Sequence, residues 1–305
     1  MQKNLSKNNW IAAAKILITT AALLFVLRTL TENFSEIKKF IGPESYIAIA
    51  FCAPIFLLTI LSGSLAWSSL LRSDRLTRRQ LTTVYLVTQI GKYLPGNIAQ
   101  HVGRVILLKK NGIEPKVIMA SIIMETMLAT SIASALGMAG IISFFSQDFL
   151  KYTPALIGIL FLPFFLHPII RLIDKRFNTS FLQYLSLNSR EHLVAASLFF
   201  LANFMLMGAA GYIQLIWIFD AHHARYLPVV FAFALIWVIG YVTPGAPGGI
   251  GVRESATILL ISPMAGTSAA TGVALTLRLT TIIADLMAFA LGYFLNTWKG
   301  YGHEN

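Results

Sequence analysis

Residues 240–254, GYVTPGAPGGIGVRE, constrain this chain more than any other stretch. They lie inside apolar sequence, yet five glycines and two prolines in fifteen residues cannot form an uninterrupted helix. Irregular backbone at membrane depth is tolerated only where protein or a water-filled cavity shields it. A second stretch of the same design lies at residues 91–104, GKYLPGNIAQHVGR. At a constant offset of 149 residues, Gly91 matches Gly240, Pro95 matches Pro244, Gly96 matches Gly245 and Arg104 matches Arg253. Paired interruptions in corresponding halves of a membrane chain mark a binding site at a repeat interface.

The membrane assignment rests on composition. The chain is 56% hydrophobic and 12% charged, with a mean hydropathy of +0.69. No stretch alternates with the dyad period of a membrane barrel. The formal charge of +11 comes from lysines and arginines in short loops between apolar runs. That is the pattern of cytoplasmic loops facing anionic lipid, so no nucleic-acid partner is expected. Cys52 is the single cysteine, which excludes a disulfide framework and a thiolate metal site. His222 and His223 lack carboxylate or cysteine partners nearby in sequence, and neither a metal nor a cofactor is expected.

Apolar runs of the roughly 20 residues needed to cross a bilayer lie near 10–30, 45–71, 117–145, 152–172, 193–218 and 267–297. Two further segments, 81–110 and 226–262, are broken at Pro95-Gly96 and between Pro244 and Gly249, through Gly245 and Gly248. The expected fold is therefore all-α and polytopic. It has about six full spans, two re-entrant helical hairpins and a single integral membrane domain over 1–305. Lysine and arginine counts orient it. Arg72, Arg75, Arg78 and Arg79 precede the first broken segment, and Arg104, Lys109, Lys110 and Lys116 follow its break. The flanks of the second broken segment carry only Arg225. The first hairpin should thus enter from the cytoplasm and the second from outside, with both chain termini cytoplasmic. Repeat 1 (about 10–145) and repeat 2 (about 152–297) would then be inverted copies, with Trp67 matching Trp217.

After each break the chain can restart a helix, with Asn97 as an N-cap for 98–109 and Gly249 preceding the run 250–261. Half-helix N-termini present unpaired N–H groups and suit anions. Arg104 and Arg253 each lie nine residues beyond their proline, so about 10 Å of half-helix would set them near headgroup depth, one per leaflet. Arginine binds phosphodiesters bidentately. The alternative is that both anchor their helices by snorkelling. Glu125, Arg278 and Asp285 are ionisable groups inside apolar spans, and such groups are functional candidates by default. Arg278 and Asp285, seven apart, share one helical face. Glu125 and Glu254 are candidate counter-ions to the arginines or proton carriers, and an ion pair that merely stitches the bundle is the plainer alternative. Lys92 either adds positive potential or reaches the cytoplasmic face, and His101 is either a proton shuttle or a packing residue. Asn203, Gln89 and Gln214 read as interhelical hydrogen-bonders, and Gly137 with Gly140 as a close helix contact.

At GKYLPGNIAQHVGR, at Glu125 in IIMET, at PGAPGGIGVRE and at Arg278, the sequence resembles the lysylphosphatidylglycerol synthase transmembrane-domain family of flippase-like proteins. The resemblance covers nearly the whole chain. It implies a bundle that translocates lipids, aminoacylated phosphatidylglycerol in some members and polyprenyl-linked sugars in others. It also implies roles for Arg104, Glu125, Arg253, Glu254 and Arg278. Two departures stand out. Thr126 occupies a position where members often carry arginine, and no soluble aminoacyl-transferase domain follows, so synthase activity is not carried over.

The expected function is a flippase for an anionic phospholipid or polyprenyl-phosphate-linked glycolipid in the cell (inner) membrane, with a proton gradient as a candidate driving force. A non-enzymatic role is expected. A secondary transporter of a soluble anion and a non-catalytic partner of cell-envelope glycan or lipid-modifying enzymes are the alternatives. An intramembrane enzyme is disfavoured because no nucleophile–base pair stands out.

Overall fold

A computed structural model describes residues 40, 42–71, 75–94, 98–145, 190–243 and 249–297. Among these the regular structure is entirely helical. The elements are α1 (Pro43–Leu70), α2 (Arg78–Thr88), a 3₁₀ turn (Gln89–Tyr93), α3 (Ala99–Lys110), α4 (Pro115–Phe145), α5 (Arg190–Phe219), α6 (Tyr226–Val242), α7 (Val252–Ala265) and α8 (Thr267–Thr297). The expected spans near 10–30 and 152–172 lie outside the described residues, as do the turn residues Pro95, Gly96, Pro244, Gly245 and Gly248.

Four helices are long and apolar enough to cross a bilayer: α1, and α4, α5 and α8 over Pro115–Ile141, Glu191–Phe219 and Thr267–Leu295. These match four of the runs read from the sequence, and the protein is a multi-pass membrane protein. Each carries large apolar side chains on its outer surface, such as Ile47 and Phe51 on α1 or Tyr293 and Phe294 on α8. In water such faces would be a liability, whereas in lipid they are the solvent-exposed side.

The ends of the elements follow ordinary capping chemistry. Pro43 opens α1 at a position where its missing N–H is no loss, and Ser45 Oγ accepts from the Gly42 N–H. Thr77 and Gln80 form a reciprocal capping box at the start of α2, with Gln80 Oε1 accepting from the Thr77 N–H at 2.8 Å. The helix after the first break differs from expectation. It starts at Ala99 with Ile98 in the cap position and no side-chain cap, while Asn97 lies outside the described residues. After the second break, Gly249 and Gly251 adopt φ of 75° and 80°, the left-handed region that favours glycine, and α7 starts at Val252.

The helices flanking each break fold back on one another. A Cβ at Gly91 would stand 2.7 Å from the Gln100 backbone nitrogen, and one at Gly103 would stand 3.0 Å from Thr88. In the second half, Gly240 abuts Arg253, and Pro228, Ala232 and Leu235 share a small apolar cavity with Leu259, Leu260, Pro263 and Met264. Both pairs therefore run antiparallel. Their arms have 12 to 17 residues, roughly 18 to 25 Å, apart from α2, which reaches a similar length with its 3₁₀ turn. All are shorter than the four helices long and apolar enough to cross a bilayer.

Polar side chains and small residues join the long helices. Asn203 Nδ2 on α5 donates to the Thr59 carbonyl on α1 (2.6 Å), and Gln214 Nε2 donates to Thr280 Oγ1 on α8 (2.6 Å). Ser62 Oγ on α1 donates to the Phe199 carbonyl. On α4, Gly137 and Gly140 face Leu235 and Phe231 of α6, where added Cβ atoms would meet side chains at 2.8 and 2.6 Å. Since the neighbouring contact at Gly137 includes Leu235 Cα at 3.2 Å, the neighbour has little room to yield. Gly137→Val is expected to destabilise the α4–α6 contact by about 1–3 kcal/mol, the usual cost of overpacking. The check is thermal unfolding of the detergent-solubilised protein, with an unchanged midpoint as the opposing result.

Candidate functional site

Both hairpins direct side chains toward the bundle interior, where they meet residues of α1, α4, α5 and α8 around a cavity of about 150 Å³. Lys92 precedes the first break, and His101 and Arg104 follow it on α3. Arg253 follows the second break on α7. Glu125 comes from α4, and Arg278 and Asp285 come from α8. All seven line this cavity. Arg104 and Arg253, expected one per leaflet near headgroup depth, both line this single interior space. The physical reason is that each hairpin folds back, so the first turns after the breaks face the centre.

Arg104 is ion-paired and packed against aromatic rings, with its Nε buried and without a hydrogen-bond partner among the described residues. It is 1% exposed, its Nη1 lies 2.5 Å from Glu125 Oε2, and its guanidinium sits over the Tyr85 ring at 4.0 Å and the Trp67 ring at 4.8 Å. The helix register explains why it points inward. Gln100, Arg104 and Leu108 are the buried residues of α3, spaced by four. The ion pair partly answers the departure at Thr126. Glu125 finds its arginine on α3, and Thr126 Oγ1 instead meets the Tyr241 hydroxyl at 3.1 Å.

On the opposite side, Asp285 accepts from Lys92 Nζ at 2.7 Å and from the Tyr93 hydroxyl at 2.5 Å. Lys92 therefore turns into the bundle and does not reach a membrane face. Arg278 lies over the Tyr93 ring at 5.9 Å, and its Nη1 is 3.6 Å from Glu254 Oε1. Glu254 does not line the main cavity. It borders an adjoining space of about 80 Å³ that shares Arg253 and Arg278 with the main cavity and is otherwise walled by Phe233, Ile236, Ala274 and Leu277 among others.

Arg253 is different from its counterpart in the first half. Its stem lies against Gly240 and Gly249, where a Cβ at Gly249 would stand 2.7 Å from Arg253 Nε. Any larger residue at either position would displace the side chain, which accounts for two of the motif's glycines. Its Nε is buried without a hydrogen-bond partner, and among the described residues no carboxylate lies within ion-pair distance of it. Around the two joined spaces, Lys92, Arg104, Arg253 and Arg278 face Glu125, Glu254 and Asp285, so four cations meet three carboxylates. A guanidinium buried without a close ion-pair partner is costly, and an anion is its natural complement.

Sequence reasoning singled out the charged members of this site. It did not find Tyr93, Tyr85 and Trp67, which hold them, nor Trp237 and Tyr241, whose rings stack at 4.9 Å beside the cavity. Tyr93, adjacent to Lys92, was the one available hint. Gln89 departs from expectation: its Oε1 is buried without a partner, so it joins no helices through that atom. No group of three or more His, Cys, Asp or Glu residues with metal-binding geometry occurs among the described residues.

A family model described as Lysylphosphatidylglycerol synthase TM region matches residues 12–288, which takes in every element of the site. No curated protein matches the chain.

The Arg104–Glu125 pair is expected to behave as a buried ion pair. Arg104→Ala leaves the Glu125 carboxylate uncompensated and should destabilise the protein by about 3–5 kcal/mol. Adding Glu125→Gln should recover a large part of that loss. A double-mutant cycle on thermal stability checks it, and purely additive losses would show that the two side chains are not coupled.

Proposed function

Because the chain belongs to the lysylphosphatidylglycerol synthase TM region family, whose membership points to a membrane lipid-related function, we propose that it is a flippase. Its substrate would be an anionic phospholipid or a polyprenyl-phosphate-linked glycolipid, carried between leaflets without covalent chemistry. The observation that supports this reading most directly is Arg253. It is a buried guanidinium with Lys92 and Arg278 lining the same cavity and no carboxylate of its own among the described residues. A phosphate group supplies the missing negative charge and accepts the planar fork of N–H donors.

The adjoining space favours a lipid over a soluble anion. It begins at Arg253 and Arg278 and continues between Phe233, Ile236, Ala274 and Leu277. A phosphate at Arg253 would thus have an apolar neighbour for the start of its chain, which a soluble anion has no use for. Secondary transport of a soluble anion is the competing reading, and a non-catalytic role beside envelope-building enzymes is a third.

Alternating exposure follows from an inverted repeat. In this proposal the hairpins α2–α3 and α6–α7 are re-entrant, entering from opposite sides and meeting at the cavity. Their antiparallel arms, shorter than the four membrane-length helices, support that arrangement, and the order long helix, hairpin, long helix occurs twice in the described chain. Both termini are then cytoplasmic and the protein resides in the cell membrane. Coupling to a proton gradient belongs to the same proposal, with Asp285, Glu125, Glu254 and His101 as the titratable groups at or beside the cavity.

The test is leaflet exchange in proteoliposomes containing fluorescent phosphatidylglycerol or a fluorescent polyprenyl phosphate. Arg253→Ala is expected to lower the rate by about tenfold or more, the worth of a lost charged hydrogen bond, with Arg253→Lys falling between. An Arg253→Ala protein that inserts normally and exchanges lipid at the wild-type rate would sink the proposal.

A further inference from the structure

The two halves of the chain place an arginine after a break and answer its charge differently. In the first half the long helix that follows the hairpin, α4, supplies Glu125 to Arg104. In the second half the long helix that follows the hairpin is α8. Both helices have 31 residues, and aligning their first residues, Pro115 and Thr267, matches Glu125 with Leu277 and Thr126 with Arg278. The motif offset of 149 instead matches Glu125 with Ala274. Ala274 and Leu277 are one helical turn apart and share a face, so both alignments lead to the same place. Both residues are buried, and both line the adjoining space with Arg253 and Arg278. In either alignment an apolar side chain stands where the first half has its carboxylate.

The exchange costs the second half its counter-ion. A guanidinium buried without a close partner is destabilising, and a carboxylate on the following helix is the ordinary remedy, as Glu125 shows. Ala274 and Leu277 withhold that remedy, and Arg278, matched to the neutral Thr126, brings a second cation to the same space. Glu254 directs its Oε1 to Arg278 Nη1 at 3.6 Å, and among the described residues no carboxylate lies within ion-pair distance of Arg253. Arg253 Nε is buried without a hydrogen-bond partner. A carboxylate fixed on α8 would act as an intramolecular competitor at an effective concentration of about a millimolar or more. It would hold Arg253 against any anion arriving from outside, whereas an apolar residue keeps the place open.

We infer that Ala274 and Leu277 are specificity-determining residues: they occupy the place of the missing counter-ion and thereby leave Arg253 to an anionic ligand. The bound anion then takes the part that Glu125 plays, joining α7 to α8 as Glu125 joins α3 to α4. The inference rests on the anion position argued under the proposed function, and it names the residues that make one motif arginine structural and the other receptive.

The experiment compares glutamate with glutamine at each position in the full-length protein, since the two side chains differ in charge and hardly in volume. One readout is the apparent affinity for inorganic phosphate, taken from the dependence of the thermal midpoint on phosphate concentration in detergent. The other is the rate of leaflet exchange of fluorescent phosphatidylglycerol in proteoliposomes. Leu277→Glu is expected to fall about tenfold or more below Leu277→Gln in both, the worth of a charged hydrogen bond, and Ala274→Glu likewise below Ala274→Gln. Because the two positions are substituted separately, a variant that fails to fold at one leaves the other to decide. Glutamate and glutamine variants that behave alike, in a protein whose phosphate affinity and exchange still fall in Arg253→Ala, overturn the inference and leave the flippase reading standing. Phosphate binding that depends on Arg253 and is lost in the glutamate variants, with no lipid exchange by wild type, upholds the inference for a soluble anion and overturns the flippase reading alone. A wild type with neither phosphate stabilisation nor lipid exchange overturns both.

Discussion

Charge buried in a medium that cannot solvate it is the constraint around which this bundle is arranged. Each ionised side chain in the interior must find a partner within the protein or take one from outside. Most do so internally. Glu125 holds Arg104, Asp285 holds Lys92 with help from Tyr93, and Glu254 stands near Arg278. These contacts tie α3 to α4, the 3₁₀ turn to α8 and α7 to α8, so the same pairs that neutralise charge also fix where the two hairpins sit. Arg253 is the remainder, and it lies where two spaces meet.

The two halves of the chain use one motif for different ends. In the first, the motif arginine packs against Tyr85 and Trp67 and is paired with Glu125, so it behaves as a strut. In the second, the equivalent arginine lies along Gly240 and Gly249, two residues without side chains, with no carboxylate within ion-pair distance among the described residues. The tryptophan match divides in the same way. Trp67 is buried with its Nε1 donating to Ser121 Oγ, whereas Trp217 is half-exposed against Phe51. Residues that match between the two motifs in sequence thus stand in different environments.

Around the charged groups the cavity is heterogeneous. Cations reach it from α3, α7, α8 and the 3₁₀ turn, and neutral polar groups reach it from α3 and from that same turn. The bundle that carries them is held by polar contacts that span helices, as Asn203 and Gln214 illustrate, and by glycine contacts such as Gly137 on Leu235. Neither kind of contact requires the hydrophobic effect, which does not drive helix association in lipid.

The amino-acid sequence alone determined the helical class, the four described spans, the two breaks and the identity of the charged residues. Each of these is encoded locally, in runs of apolar residues, in Pro-Gly interruptions and in ionisable residues set within hydrocarbon-length segments. Which charge meets which was not legible. Glu125 and Arg104 are 21 residues apart, Lys92 and Asp285 are 193 apart, and nothing in the intervening spacing relates them. That the Oε1 atoms of Gln89 and Gln100 are buried without partners was equally invisible, because a glutamine on an apolar helix reads as a hydrogen-bonder until its neighbours are known. Only tertiary packing decided that Arg104 has a close ion pair and Arg253 has none among the described residues, since pairing depends on distances between helices that no local pattern records.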